Sequence, residues 1–244
     1  MGKRILQRRR GKAGIQFRAP IKGKVAPVRY PKTDGAATVT AILDERGRSA
    51  PLAQIRLEGD RYTYLPATAG LTVGQQVSLG AAAQVAEGNV LPLSGIPEGT
   101  RISNIELRPG DGGKFVRASG TSAVLFSKAG GRAILKLPSG KNILVSDRCR
   151  ATIGEVAGGG RREKPFLTAG ARHHAMRASG RVYPRMRGIA MAVVYHPFGG
   201  GRHQHPGKST STSRNAPPGR KVGLIAPRKT GRKRLARASA EVSK

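Results

Sequence analysis

Ala37-Thr38-Val39-Thr40-Ala41-Ile42-Leu43 alternates its side chains with a period of two and runs directly into the turn Asp44-Glu45-Arg46-Gly47. A helix returns apolar residues to one face every three or four positions, whereas a half-buried strand returns them at every second position. Residues 52–57 and 62–65 repeat the strand pattern on either side of Glu58-Gly59-Asp60, and 73–79 supply another strand. Four or five short strands over about fifty residues describe a small barrel of the OB type, an architecture suited to nucleic acid.

A second series begins near Asn89. Arg101-Ile102-Ser103-Asn104-Ile105-Glu106-Leu107 reads as an alternating strand that stops at Pro109-Gly110-Asp111-Gly112-Gly113. Residues 122–127, 133–137 and 143–146 follow, separated by the hairpin turns Ala129-Gly130-Gly131 and Pro138-Ser139-Gly140, and 151–154 close the series. Short strands joined by tight turns describe an SH3-like barrel. Apolar content ends at Gly158-Gly159-Gly160. The expected class is therefore mainly β: an OB-like barrel over 33–85 followed by an SH3-like barrel over 86–160. Long, basic, irregular extensions over 1–32 and 161–244 flank them.

Charge separates the same segments. The 244 residues carry 45 Lys/Arg against 13 Asp/Glu, a net charge of +32. Residues 1–32 hold 11 basic residues and no acid, 33–160 hold 14 basic and 11 acidic, and 161–244 hold 20 basic and 2 acidic. Nearly all the excess lies in the flanks. Like-charge repulsion with few apolar residues cannot offset an ordering entropy of roughly 1–2 kcal/mol per residue, so the flanks await a polyanion. Phe17, Tyr30, Phe166, Tyr183, Tyr195 and Phe198 are interleaved with these cations, a composition suited to stacking on unpaired bases as well as to phosphate contact.

Composition excludes other classes. The 34 Gly and 16 Pro argue against a long-helix bundle, since an interior Gly costs about 1 kcal/mol and a Pro about 3. Cys149 is the single cysteine, so no internal disulfide framework exists. No apolar run approaches the roughly 18 residues of a membrane span, and Ile5 and Leu6 stand among charges instead of opening a signal peptide. The expectation is a soluble, cytoplasmic binder of polyanions that contacts no membrane.

Catalytic constellations fail on spacing. All five histidines (His173, His174, His196, His203 and His205) lie in the basic C-terminal flank without zinc-ligand spacing, and Cys149 has no cysteine partner. Gly207-Lys208-Ser209 looks like the end of a phosphate loop, but five residues, not four, separate Gly201 from Gly207. Residues 164–240 contain no Asp or Glu, so no local acid can orient any of the histidines as a general base. No enzyme is expected.

One stretch carries a resemblance. Arg187-Gly188-x-x-Met191, followed by His196-Pro197-Phe198-Gly199-Gly200-Gly201, resembles the signature of the universal large-subunit ribosomal protein of the L-two family, in its archaeal or eukaryotic form. Further matches run in order along the chain: Gly59-Asp60-Arg61-Tyr62 through Gly80, Leu91-Pro92-Leu93-x-x-Ile96-Pro97-x-Gly99, Ala118-Ser119-Gly120-Thr121, and Cys149-Arg150-Ala151-Thr152-Ile153-Gly154-Glu155-Val156. The chain departs from the family at Ala192-Val193, where Asn-Pro is usual, and at Tyr195, where an acid usually precedes the histidine.

The resemblance implies a structural constituent of the large ribosomal subunit. It would bind large-subunit rRNA near the peptidyl-transferase region and support subunit association, tRNA placement and peptide-bond formation, with the RNA carrying the chemistry. A free OB-type RNA-binding regulator is the alternative. Expected rRNA contacts in the N-terminal flank are Arg8, Arg9, Arg10, Lys12, Arg18, Lys22 and Lys24. In the C-terminal flank they are Arg172, His173, His174, Arg177, Arg181, Arg185, Arg187, Gly188, His196, Pro197, Phe198, Gly199, Gly200, Gly201, Arg202, His203, His205, Lys208, Arg220, Lys221, Arg228 and Lys229. The family's histidine matches His196, for which a turn-locking hydrogen bond or a stack on RNA is weighed above support of peptidyl transfer. Its pKa is expected to fall among so many cations. No catalytic residue, metal site or cofactor is assigned, Mg2+ shared with rRNA being the one ion left open. Expected partners are rRNA, neighbouring large-subunit proteins, and the small subunit and tRNA, without a homo-oligomer.

Overall fold

A computed structural model of the chain describes residues 5–161 and 163–228. It divides into two compact units, one formed by 19–179 and the other by the two flanks, up to residue 18 and from 180 onward.

The 19–179 unit holds ten strands: β1 (Gly35–Leu43), β2 (Leu52–Leu57), β3 (Arg61–Pro66), β4 (Gln76–Leu79), β5 (Val90–Pro92), β6 (Arg101–Ser103), β7 (Ala123–Ala129), β8 (Arg132–Lys136), β9 (Asn142–Ser146) and β10 (Arg150–Ile153). They join in the order β3-β2-β1-β4-β5-β10-β6-β7-β8-β9. The mainly β class follows from this directly. Two hydrophobic cores lie along the sheet. Val39, Ile55, Leu65, Val77, Leu79 and Val90 fill the first. Leu91, Leu93, Ile96, Ile102, Ile105, Leu125, Leu135 and Ile153 are among those that fill the second. The division falls between Val90 and Leu91, adjacent residues of β5. Consecutive strand side chains point to opposite faces, so one short strand serves both cores.

Most of the strand readings are found within a residue or two, and two are corrected. The strand expected over 73–79 begins only at Gln76, because Gly74 takes φ +89 and Val73 is 60 % exposed in a turn. The strand expected over 101–107 ends at Ser103, because Asn104 takes the left-handed φ of +47. Past that point alternation fails: Asn104, Ile105 and Glu106 are all fully buried. Glu106 turns inward and accepts N–H bonds from Gly110 (3.2 Å), Gly112 (3.0 Å) and the backbone of Arg150 (2.9 Å).

Segment 28–34 packs into this unit. Tyr30, read from the sequence as a base-stacking aromatic, is instead 5 % exposed in the first core. Its hydroxyl donates to the Asn104 carbonyl (2.7 Å) and shares a 2.7 Å bond with the Thr152 hydroxyl. Burial drives the phenol's pKa well above its usual range. The guanidinium of Arg150 lies 5.2 Å from the Tyr30 ring centre and donates to the Pro31 carbonyl at 2.8 Å.

Cys149 is fully buried in the second core, where desolvation pushes its thiol up to about 11. Reactivity needs the thiolate and access to it. Iodoacetamide at pH 7.5 should therefore leave the folded chain unlabelled and label it only on unfolding, and mass spectrometry of the alkylated protein checks this.

The flanks are not wholly irregular. α1 spans Leu6–Gly11 and α2 spans Ala169–Ala178. The Thr168 hydroxyl accepts the Ala171 N–H at 3.2 Å to cap the start of α2, and Gly180 follows its last turn at φ +69. A capping threonine and a terminal glycine twelve residues apart are local signals of a helix, within a flank read from the sequence as irregular. In the flank unit β11 (Ser211–Thr212) and β12 (Leu224–Ile225) form a short parallel pair.

Candidate nucleic-acid interface

The cations expected to meet rRNA occupy both units. Arg8 lies in α1, while Arg9, Arg10, Lys12 and Arg18 are exposed in and just after it. Lys22 and Lys24 are exposed in the other unit, as are Arg172, His173, His174 and Arg177 along α2. The His173 and His174 rings meet edge to face at 5.5 Å. Arg181, Arg185, Arg187, Arg202, His203, His205, Lys208, Arg220 and Arg228 are exposed, whereas Lys221 is half-buried. Lys229 lies outside the described residues. These side chains thus belong to two separate units.

The stretch from Gly188 to Gly201 is closed on itself by hydrogen bonds and close backbone approaches. His196 is 8 % exposed, and its Nδ1 accepts the Phe198 N–H at 3.0 Å. That acceptor role places the imidazole proton on Nε2. The Gly199 N–H bonds to the His196 carbonyl (2.9 Å), the Gly200 N–H to the Met191 carbonyl (2.9 Å), and the Tyr195 N–H to the Ala192 carbonyl (3.0 Å). The glycines are required by space. A Cβ on Gly188 would meet the His196 ring, and one on Gly199 would meet the carbonyl oxygens of Met191 and Ala192. Gly200 and Gly201 take φ +79 and +83, where other residues are strained. Pro197 and Phe198 are half-buried, and the Phe198 ring tilts against His196 with centroids 5.3 Å apart.

The imidazole of His196 is thereby turned into its own loop. Its pKa is lowered from 6.5, and the cause is burial, not the neighbouring cations expected from the sequence. Because the folded pKa lies below the unfolded one, the unfolded chain binds the extra proton. The contribution to stability is present above pH 6.5 and is lost as pH falls through the folded pKa. Protonation at Nδ1 also removes the acceptor for Phe198. Amide exchange at Phe198 should therefore quicken on going from pH 7 to pH 5, and NMR-detected hydrogen exchange, corrected for the intrinsic pH dependence of exchange, checks it.

Sequence reasoning placed no binding residue between 33 and 160, yet a cationic cleft lies there. Lys24, Arg46, Arg48 and Arg117 line it together with Glu45, and a Cβ on Gly47 would meet the Ala178 carbonyl. Arg48 is 3.3 Å from the buried Glu45 carboxylate, and its Nε is buried with no hydrogen-bond partner among the described residues. Burial, then repulsion from Arg48, lowers the Arg117 pKa. Four cations facing one carboxylate attract an anion. The near balance of 14 basic and 11 acidic residues over 33–160 concealed this cluster, because net charge carries no positional information.

The aromatics separate as well. Phe166 and Tyr195 are 53 % and 51 % exposed, free to stack. Tyr62 is 50 % exposed on the edge strand β3, whereas Leu65 of the same strand fills the first core. Among the described residues no three His, Cys, Asp or Glu side chains are grouped to hold a metal ion.

Residues 86–241 match the family described as Ribosomal Proteins L2, C-terminal domain. The chain is 51 % identical over 238 residues to the large ribosomal subunit protein uL2 of Desulfurococcus amylolyticus, covering 96 % of this chain and all of that one. It is 52 % identical over 238 residues to the uL2 of Korarchaeum cryptofilum, covering 95 % and 96 %. With the uL2 of Haloarcula marismortui identity is 52 % over 237 residues, covering 95 % and 98 %.

Proposed function

The chain belongs to the uL2 family of ribosomal proteins and is a structural constituent of the large subunit, and from that premise we propose how it works there. It binds large-subunit rRNA through both flanks and through the Arg48–Arg117 cleft. It sits near the peptidyl-transferase region, where it supports subunit association, tRNA placement and peptide-bond formation. The observation that carries this reading is charge without counter-charge. Residues 164–240 hold no acid, and the described Lys and Arg side chains among them are exposed, Lys221 alone being half-buried. Folded rRNA brings many phosphates close together, and each neutralised phosphate releases condensed counterions.

The protein's part is structural, and peptidyl transfer belongs to the RNA. His196 locks the Gly-rich turn through Phe198 and has no acid beside it, so it holds shape and does not move protons. Neighbouring large-subunit proteins, the small subunit and tRNA are the further partners. Mg2+ is shared with rRNA phosphates, and the protein itself holds no cofactor.

Sedimentation of a native lysate through a high-salt sucrose gradient tests the reading. The chain should stay on the large-subunit peak. Release to the top of the gradient, or equal affinity of the purified chain for random duplex DNA and for large-subunit rRNA, would overturn it.

A further inference from the structure

Within the flank unit, a cavity of about 400 Å³ opens between the Gly-rich turn and the β11–β12 pair. The geometry points to a binding site for one unstacked nucleotide of the rRNA, its base on Phe198 and its phosphate between Lys208 and Arg220. This rests on the rRNA-binding reading and adds to it a defined pocket and a defined ligand class.

Three features carry the inference. The first is a fixed aromatic floor. Phe198 packs against the tilted His196 ring, and a Cβ on Gly223 would meet its Cζ at 3.3 Å, so the glycine leaves room for the ring. Pro197 and the buried Val222 extend that apolar floor. The second is a closed wall. The Thr212 hydroxyl donates to the Val222 carbonyl (2.6 Å), and the N–H groups of Leu224 and Ala226 bond to the carbonyls of Thr210 and Thr212 (2.8 Å each). The cavity therefore does not depend on one mobile loop. The third is chemistry at the rim. Lys208 and Arg220 line it and make no salt bridge among the described residues, while the Asn215 amide offers one donor and one acceptor edge.

The size suits a nucleotide, lying at the small end of the roughly 300–1,000 Å³ of ligand pockets. The lining favours an anion over a cation, because it contains two positive side chains and no carboxylate. Sequence-specific RNA recognition works by splaying single bases onto aromatic faces and reading their edges, which is what Phe198 beside Asn215 provides. An amide side chain matches the paired donor and acceptor of an adenine edge.

The test uses the full chain with unmodified large-subunit rRNA, irradiated at 254 nm so that any base can crosslink and mapped by mass spectrometry, together with affinities measured across a salt series. A crosslink from the 206–222 region to a single nucleotide is expected. Phe198→Leu and Asn215→Ala should each lower affinity by about tenfold with the salt slope unchanged, as a lost stack or base contact does. Lys208→Ala and Arg220→Ala should each reduce the slope by about 1, as a lost phosphate contact does. Asn215 and Lys208 are exposed, so their substitution tests the site without unfolding it. Unchanged affinity and slope in all four variants, or a peptide of another ribosomal protein crosslinked into the cavity of the assembled subunit, would overturn the inference and leave rRNA binding standing. Failure of the unsubstituted chain to bind rRNA would overturn both.

Discussion

Replacing Glu106 with alanine lowers the unfolding free energy of the barrel unit by about 3–5 kcal/mol, the scale for removing one partner of a buried ion pair. Glu106 is 0 % exposed. Its carboxylate accepts three backbone N–H groups and a 3.2 Å bond from the Arg150 guanidinium. Alanine strands all four donors. Arg150 is 18 % exposed on its side chain and reaches Asp34 only at 3.9 Å, so its charge has little other compensation. It also holds Pro31 and covers Tyr30, which ties the N-terminal segment to both cores. Urea titration followed by circular dichroism measures the loss. Glu106→Gln should lose less, since an amide oxygen still accepts. The double variant with Arg150→Ala should fall short of the summed single losses, because both remove one network. A loss below about 1 kcal/mol for Glu106→Ala would show that the carboxylate does not organise this junction.

Affinity for large-subunit rRNA should fall about 10³- to 10⁵-fold between 50 and 200 mM monovalent salt, the loss for 6–10 phosphate contacts. Filter binding with a purified rRNA fragment measures it. The substitution that separates flank from cleft is Arg48→Ala with Arg117→Ala, expected to reduce the salt slope by about 2 if each guanidinium meets one phosphate. Arg117 also donates to the Gly113 carbonyl (3.0 Å) and the Val28 carbonyl (3.3 Å), so thermal melts of the double variant accompany the binding data. Arg48→Lys with Arg117→Lys keeps both charges and should largely preserve the slope. A slope unchanged by the alanine pair would confine rRNA contact to the flanks.

Legibility in the sequence followed the range of the interaction. Strand β2 was read at its true bounds, because each residue's face depends only on its neighbours two places away. The turns at Gly130-Gly131 and Gly140 were equally local. The strand expected through 107 was misread because Asn104 leaves the β region, and Glu106 is then buried by donors from 110, 112 and 150. Tyr30 was assigned to RNA by its basic neighbourhood, yet its partners are Asn104 and Thr152, 74 and 122 positions away. The Arg48–Arg117 cleft was missed for the same reason: no window of sequence holds both residues.

The sequence by itself determined the class of fold and the class of partner. Period-two alternation is a short-range property, and the segregation of +29 of the +32 net charge into acid-poor flanks is a sum over the chain. Only the tertiary structure decided that Val90 and Leu91 face different cores, that an acid at 106 is buried, and that His196 closes onto Phe198. Each of these outcomes is set by desolvation and packing, which depend on what surrounds a group in space. Chain separation says little about that once distant segments have been brought together.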